Sequence, residues 1–251
     1  MSSSKPIMLL LGSGSNIGQA VAKRFEAEGY RVAIAARSVE ECHESTNRWS
    51  YRIDLNKPNT VADLFVKVSE DIGIPSVVIY NGKIVASAPH TKVHTLMLLS
   101  ITTAYSLVLP RGSHPFSISV KDFEASLNVN AVSVYAAAKH AVDGFDKLPK
   151  SMLKSFIFTG NILNTSPIPR LWTIGAGKSA SAHVIESAAR AYAEKEYHFY
   201  YVDERKEDGS PIGDAISGQA HAEYFVELAG KTEQGPWLST FVKDKGYVKF
   251  H

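Results

Sequence analysis

The stretch IMLLLGSGSNIGQAVAKRF, residues 7–25, limits what this chain can become more than any other. Five consecutive apolar residues run into Gly12, Gly14 and Gly18 without a linker, and an amphipathic pattern begins at once. A strand buried on both faces reads as an unbroken apolar run, and a helix directly behind it opens a β–α–β unit. The same alternation repeats along the chain. Apolar runs at 31–36, 51–54, 76–80, 155–159, 198–202 and 247–250 are separated by amphipathic segments near 17–28, 58–70, 119–145, 173–196 and 214–230. Together these predict an α/β fold: a doubly wound parallel sheet of about seven strands inside a three-layer α/β/α sandwich. Ser119 and Asp122, three residues apart, give the long fourth helix a capping-box-like start.

Composition narrows the function classes. A net charge of +2 over 251 residues is too small for a nucleic-acid or acidic-surface binder. Nine histidines are scattered without metal-ligand spacing, so no metal is expected. The single cysteine, Cys42, excludes an internal disulfide and fits a reducing compartment. The apolar run behind Lys5 is too short for a secretion signal, and the apolar stretch 93–109 is too short for a membrane span. The expectation is a cytoplasmic chain forming one domain over residues 1–251, with no membrane partner.

The first strand–helix turn has the Rossmann-type form that holds a dinucleotide. Its glycines permit a tight turn and close approach of a pyrophosphate at a helix N-terminus. Ser13 and Ser15 add hydroxyl donors there. The second strand ends in AARS, where an NAD site usually carries an acidic residue. Arg37 and Ser38 instead offer a guanidinium and a hydroxyl, which suit a 2′-phosphate and point to NADP(H). Asp54 closes the third strand and Asn81–Gly82 follows the fourth, all at strand carboxyl ends where such sheets bind ligands.

In this order the motifs resemble the short-chain dehydrogenase/reductase superfamily over nearly the whole chain. GSGSNIG resembles the family's glycine turn, with Asn16 in place of the middle glycine, which implies cofactor contacts from Gly12, Ser13, Ser15, Asn16, Ile17 and Gly18. By the same resemblance Arg37 and Ser38 mark the NADP-preferring form, Asp54 and Leu55 the adenine contact, and Asn81 and Gly82 the turn beyond it. LNVNAVSVYAAAKHAV resembles the family's fourth helix and assigns Asn130 to the catalytic set. Lys178 matches the lysine of the family's Tyr-x-x-x-Lys, which holds the nicotinamide ribose. Gly175 and Gly177 beside it each cost a helix about 1 kcal/mol relative to alanine, so small residues here are read as making room for the cofactor.

The departures gather at the chemical end. Ile174 stands at the tyrosine position, and within FTGNIL Gly160 or Asn161 replaces the expected serine, with Thr159 the nearest hydroxyl. The proline–glycine pair usual after the sixth strand is missing from YYVDERKEDGSPIG, apart from Pro211 as a displaced echo. The catalytic candidates are therefore Asn130, Lys178, Thr159 and Asn161. The span from Asn81 to Asn130 is longer than the resemblance implies; its excess near 83–112 reads as a substrate lid, a retained intron or extra packing. Two functions stay open: an NADP(H)-dependent reductase of a small carbonyl or activated double bond, and an NADP(H)-binding sensor or partner subunit without turnover. Alanine-rich surfaces on segments 119–145 and 173–196, the dimer helices of the resembled family, imply a homodimer or homotetramer.

Overall fold

Residues that alternate between two buried faces build the centre of the molecule. In β1 (Ile7–Leu11) every residue is buried; Ile7, Leu9 and Leu11 enter one core, and Met8 and Leu10 the other. Side chains alternate across a strand, so an unbroken apolar run needs cover on both sides. The computed structural model describes residues 5–39, 42–45, 47–82 and 114–250. Its further strands are β2 (Arg31–Ala36), β3 (Cys42–Ser45), β4 (Arg48–Arg52), β5 (Val77–Tyr80), β6 (Lys154–Thr159), β7 (Tyr197–Arg205), β8 (Leu238–Val242) and β9 (Gly246–Tyr247). All lie in one sheet of order β3-β4-β2-β1-β5-β6-β7-β8-β9. The seven from β4 to β8 are parallel, and β3 and β9 add antiparallel edges.

Helices α1 (Ile17–Ala27) and α6 (Gly218–Ala229) cover one face. The other is covered by α2 (Thr60–Asp71), α4 (Ser133–Phe145) and α5 (Trp172–Ala191), with α3 (Val120–Leu127) packed against α5. Fully burying a large apolar side chain such as Phe25 or Phe156 contributes about 1.5–3 kcal/mol. The chain winds outward from β1 in both directions, so the strand order reverses between β1 and β5. Ligands bind at the carboxyl ends of strands on either side of such a point. No helix among the described residues is long and apolar enough to cross a membrane.

The doubly wound α/β sheet matches the sequence expectation, while several boundaries change. The expected strand 51–54 is Arg48–Arg52, so Asp54 lies beyond the strand end rather than closing it. The terminal strand 247–250 shrinks to Gly246–Tyr247, and the seventh parallel strand is Leu238–Val242. That strand reads as polar, yet its hydroxyls are paired inside the fold: Ser239 with the Tyr224 hydroxyl at 2.6 Å, and Thr240 with Val248 O. The helix expected over 119–145 starts where Ser119 accepts from the Asp122 amide, but a π-helical turn, Asn128–Val132, divides it into α3 and α4. The helix expected over 173–196 ends at Ala191, and the one over 214–230 begins at Gly218. The segment near 83–112 lies outside the described residues.

Candidate active site

The nucleotide end starts with the turn between β1 and α1. Gly12 has φ +92°, and a Cβ there would lie 2.0 Å from Asn81 O, so only glycine lets the ends of β1 and β5 come together. A Cβ on Gly18 would lie 2.7 Å from Ser13 Cα, which fixes how closely α1 packs under the turn. Gly14 faces open space. Above the turn lies a cleft of about 710 Å³, lined by Gly12, Ser13, Ser15, Arg37, Ser38, Asp54, Leu55 and Asn81 among others. Eight of the predicted cofactor residues therefore meet in one cleft. Lys23 and Arg48 also line it; Arg48 is held by two 2.6 Å bonds to Glu26, while Arg37 and Ser38 are exposed. The cleft fits a dinucleotide on its own geometry: the helix N-terminus and Gly14 leave room for phosphates, and Asn81 Oδ1 is buried without a hydrogen-bond partner while its Nδ2 holds Gly12 O at 2.8 Å.

Five predicted cofactor residues sit otherwise: Asn16, Ile17, Gly18, Gly82 and Lys178 do not line this cleft. The Asn16 side chain does not turn to the cleft; its Nδ2 donates to Ile216 O at 3.2 Å and its Oδ1 accepts from Gly218 N at 3.0 Å, tying the nucleotide turn to the start of α6. Ile17 is buried in the α1–α6 core, so its side chain serves packing. Gly82 and Gly18 are buried, and a Cβ on Gly82 would lie 2.6 Å from the Tyr80 ring. Asp54, although it lines the cleft, also accepts from Asn56 N at 3.1 Å, the turn chemistry its position suggests.

Gly177, just before Lys178, has a different cause from the one expected. A Cβ on Gly177 would lie 2.5 Å from Asn130 Cβ, so glycine brings α5 onto the π-helical turn. The room is made for a neighbouring helix. Asn130 is 1% exposed; its Nδ2 donates to Ser126 O at 3.0 Å, and its carbonyl accepts from the Ser181 hydroxyl of α5. Lys178, 2% exposed, donates to Thr159 O at 2.8 Å and lies 4.2 Å from the centre of the Phe158 ring. Burial lowers its pKa to about 7, against a smaller opposing pull from Asp203. The structure thus joins Lys178 to Thr159 through a backbone carbonyl, and leaves the Thr159 hydroxyl buried without a hydrogen-bond partner.

The positions around the missing phenol and hydroxyl are filled. Ile174 is fully buried. A Cβ on Gly160 would lie 2.0 Å from the Tyr201 ring, which excludes a serine there. The Tyr201 hydroxyl also accepts from Asn161 N at 3.1 Å and donates to Asn161 O at 2.8 Å, pinning the turn after β6. Asn161 Oδ1 accepts from Leu163 N at 3.0 Å, so this candidate caps its own turn.

Sequence reasoning missed the cluster at the end of β7. Asp203, Glu204 and Arg205 continue a buried strand, with exposures of 2, 2 and 8%. Buried charges require partners. Arg205 pairs with Asp203 and donates to Gly209 O at 2.9 Å. Glu204 Oε2 accepts from Ser217 N at 2.9 Å and lies 3.3 Å from Nδ1 of His221 on α6. Burial pushes Asp203 up to about 6 despite Arg205. The available signal was DER, three charges directly extending an apolar strand. Asp203, Glu204 and His221 line a cavity of about 70 Å³ with Gly160 and Asn161.

Comparison with known proteins agrees with this architecture. The family profile described as short chain dehydrogenase matches residues 6–202. A short chain dehydrogenase/reductase of Cryptosporiopsis is 43% identical over 248 residues, covering 98% of this chain and 96% of the relative. Among solved structures, a metagenomic short-chain oxidoreductase in complex with NADP gives a TM-score of 0.71 at 18% identity, covering 96% of this chain and 98% of that one. A short-chain dehydrogenase/reductase from Serratia marcescens gives 0.69 at 15% identity, covering 95% and 96%. At such identities the structural likeness shows the fold alone. The extended sequence match goes further: this chain belongs to the short-chain dehydrogenase/reductase superfamily.

Proposed function

We propose that the protein is an NADP(H)-dependent reductase of a small carbonyl compound or an activated carbon–carbon double bond. The observation that carries the cofactor choice is the exposed Arg37–Ser38 pair on the cleft rim at the end of β2. A guanidinium there can take a 2′-phosphate by charge-assisted bonds, and residues 35–39 at that strand end include no carboxylate. The β1–α1 turn would hold the pyrophosphate with backbone N–H groups and the Ser13 and Ser15 hydroxyls, and Asp54 and Leu55 would border the adenosine. When bound, the nicotinamide supplies hydride. Asn130, Thr159 and Lys178 border the place where that chemistry would occur, with Lys178 turning part of its ammonium to the ribose. In the same reading Val132 and Tyr135, exposed large apolar residues at α4, lie in a homodimer or homotetramer interface; a monomer mass by light scattering would contradict that.

Fluorescence titration of NADPH and NADH tests the cofactor assignment. NADPH should bind more tightly by roughly tenfold or more, the worth of one good charged contact. Equal affinities would remove it. A second reading, a binding protein without turnover, is favoured by buried Ile174 and by the Tyr201 ring against Gly160. Tight NADPH binding with no oxidation by any member of a carbonyl panel would select that reading.

A further inference from the structure

The cavity between β6, β7 and α6 holds chemistry that the roles above do not use. At about 70 Å³ it has roughly the share of liquid volume taken by two waters, room for one functional group of a substrate. His221, 1% exposed, lines it. Its Nδ1 lies 2.9 Å from Ser217 O. A carbonyl only accepts, so Nδ1 carries a hydrogen and Nε2 is the nitrogen left for the cavity. The same Nδ1 lies 3.3 Å from Glu204 Oε2, and the rings of Phe225 and Phe241 meet the imidazole edge-on at 5.6 and 5.1 Å. Position and tautomer are therefore both fixed. Glu204 Oε1 is buried without a hydrogen-bond partner, an unmet acceptor in the cavity wall. Through Asn16, which bonds Ile216 and Gly218, that wall is tied to the nucleotide turn.

We infer that His221, oriented by Glu204, donates the proton in this protein's carbonyl reduction, and that the cavity receives the substrate's carbonyl oxygen. The inference rests on the reductase reading. With hydride supplied to the carbonyl carbon by reduced nicotinamide, the π electrons pass to oxygen, and oxygen takes the proton from Nε2. The imidazolium becomes a neutral imidazole, with Nδ1–H kept on Ser217 O. His221 is then a catalytic residue and Glu204 a positioning residue. The other ionisable groups facing the pair are Asp203 with Arg205 from β7, and Lys178 from α5 through its interaction with Asp203.

The first test needs no turnover. In histidine labelled with nitrogen-15, with His221→Asn for assignment, the His221 signals are compared at neutral pH in the NADP⁺ and NADPH complexes. The oxidised nicotinamide is cationic and the reduced one neutral, so an imidazole facing the reaction centre should show different nitrogen signals in the two complexes. Identical signals in both complexes would overturn the inference. With phenanthrenequinone and NADPH, His221→Asn should lower kcat by roughly 10²–10⁴-fold, the usual worth of a general acid, while NADPH affinity stays unchanged. Added imidazole should restore His221→Ala in part, and Glu204→Gln should lower kcat by less with KM unchanged. Full activity in His221→Asn, or a loss confined to Asp203→Asn, would also overturn it. If neither cofactor binds, the reductase reading fails and the dyad with it; if both bind and His221 does not respond, the dyad alone fails.

Discussion

At the end of β2, Arg37 and Ser38 stand in solvent on the rim of a cleft of about 710 Å³. At the ends of β6 and β7, Asp203, Glu204 and His221 are each at most 2% exposed, around a cavity of about 70 Å³. Both sites use carboxyl ends of strands in one parallel sheet. The first works through backbone geometry and solvated charge, so its parts depend little on one another. The second buries charges that must be paired, which couples each group to its neighbours and to the stability of the fold. Substitutions of the solvent-facing side chains on the open rim should therefore change binding alone, and those at the closed end should change stability and ionisation together.

The largest effect should come from the glycine of the open end that combines a positive φ with the closest backbone approach. Gly12→Ala places a side chain at φ +92°, with its Cβ 2.0 Å from Asn81 O. We expect a loss of about 3 kcal/mol or more in unfolding free energy by urea denaturation. Unchanged stability would mean that the β1–β5 approach is not fixed by this glycine. Arg37→Ala comes next. It should weaken NADPH by roughly tenfold or more, about 1.4 kcal/mol, leaving NADH affinity and the unfolding midpoint as they were. A matching loss for NADH would break the contrast, since the guanidinium would then be serving something other than a 2′-phosphate. Asn16→Ala should have the smallest effect. It removes the two side-chain bonds that join the ends, and about 1 kcal/mol of stability should go with them. No change in the urea midpoint would show the two ends to be mechanically separate.

The open end was legible in the sequence because its signals are local. Gly12, Gly14 and Gly18 mark one turn whatever surrounds it, and AARS places Arg37 and Ser38 at a strand end by counting. The parallel sheet was legible for the same reason: runs such as IMLLL and VVIY are buried on both faces wherever they occur. The closed end arises from convergence. His221 meets Glu204 across two elements and a loop, and the Tyr201 ring occupies the space beside Gly160; neither pairing leaves a spacing to read. Gly177 is instructive here. Its smallness was visible, while its cause, the Cβ of Asn130, belongs to another helical segment. The strand Leu238–Val242 was hidden because its buried hydroxyls are satisfied by partners distant in sequence.

The closed end holds an amine built into the fold, the buried Lys178, and a pH-dependent stability difference reports that burial. Burial holds the folded pKa of Lys178 at about 7, against 10.5 for a solvated lysine. Between those values the unfolded chain binds the additional proton, so this group makes stability rise with pH, by up to about 1.4 kcal/mol per pH unit. Asp203 acts in the opposite direction and lower: its folded pKa near 6 exceeds 3.8, so its contribution falls as pH rises from about 4 to about 6. The two windows do not overlap. Urea unfolding of the parent and of Lys178→Met, which keeps the length of the side chain and removes its charge, should be compared from pH 6.5 to 10. The parent should gain stability on the variant across this range, most steeply above pH 7. A difference that stays constant with pH would instead show a solvated ammonium at position 178.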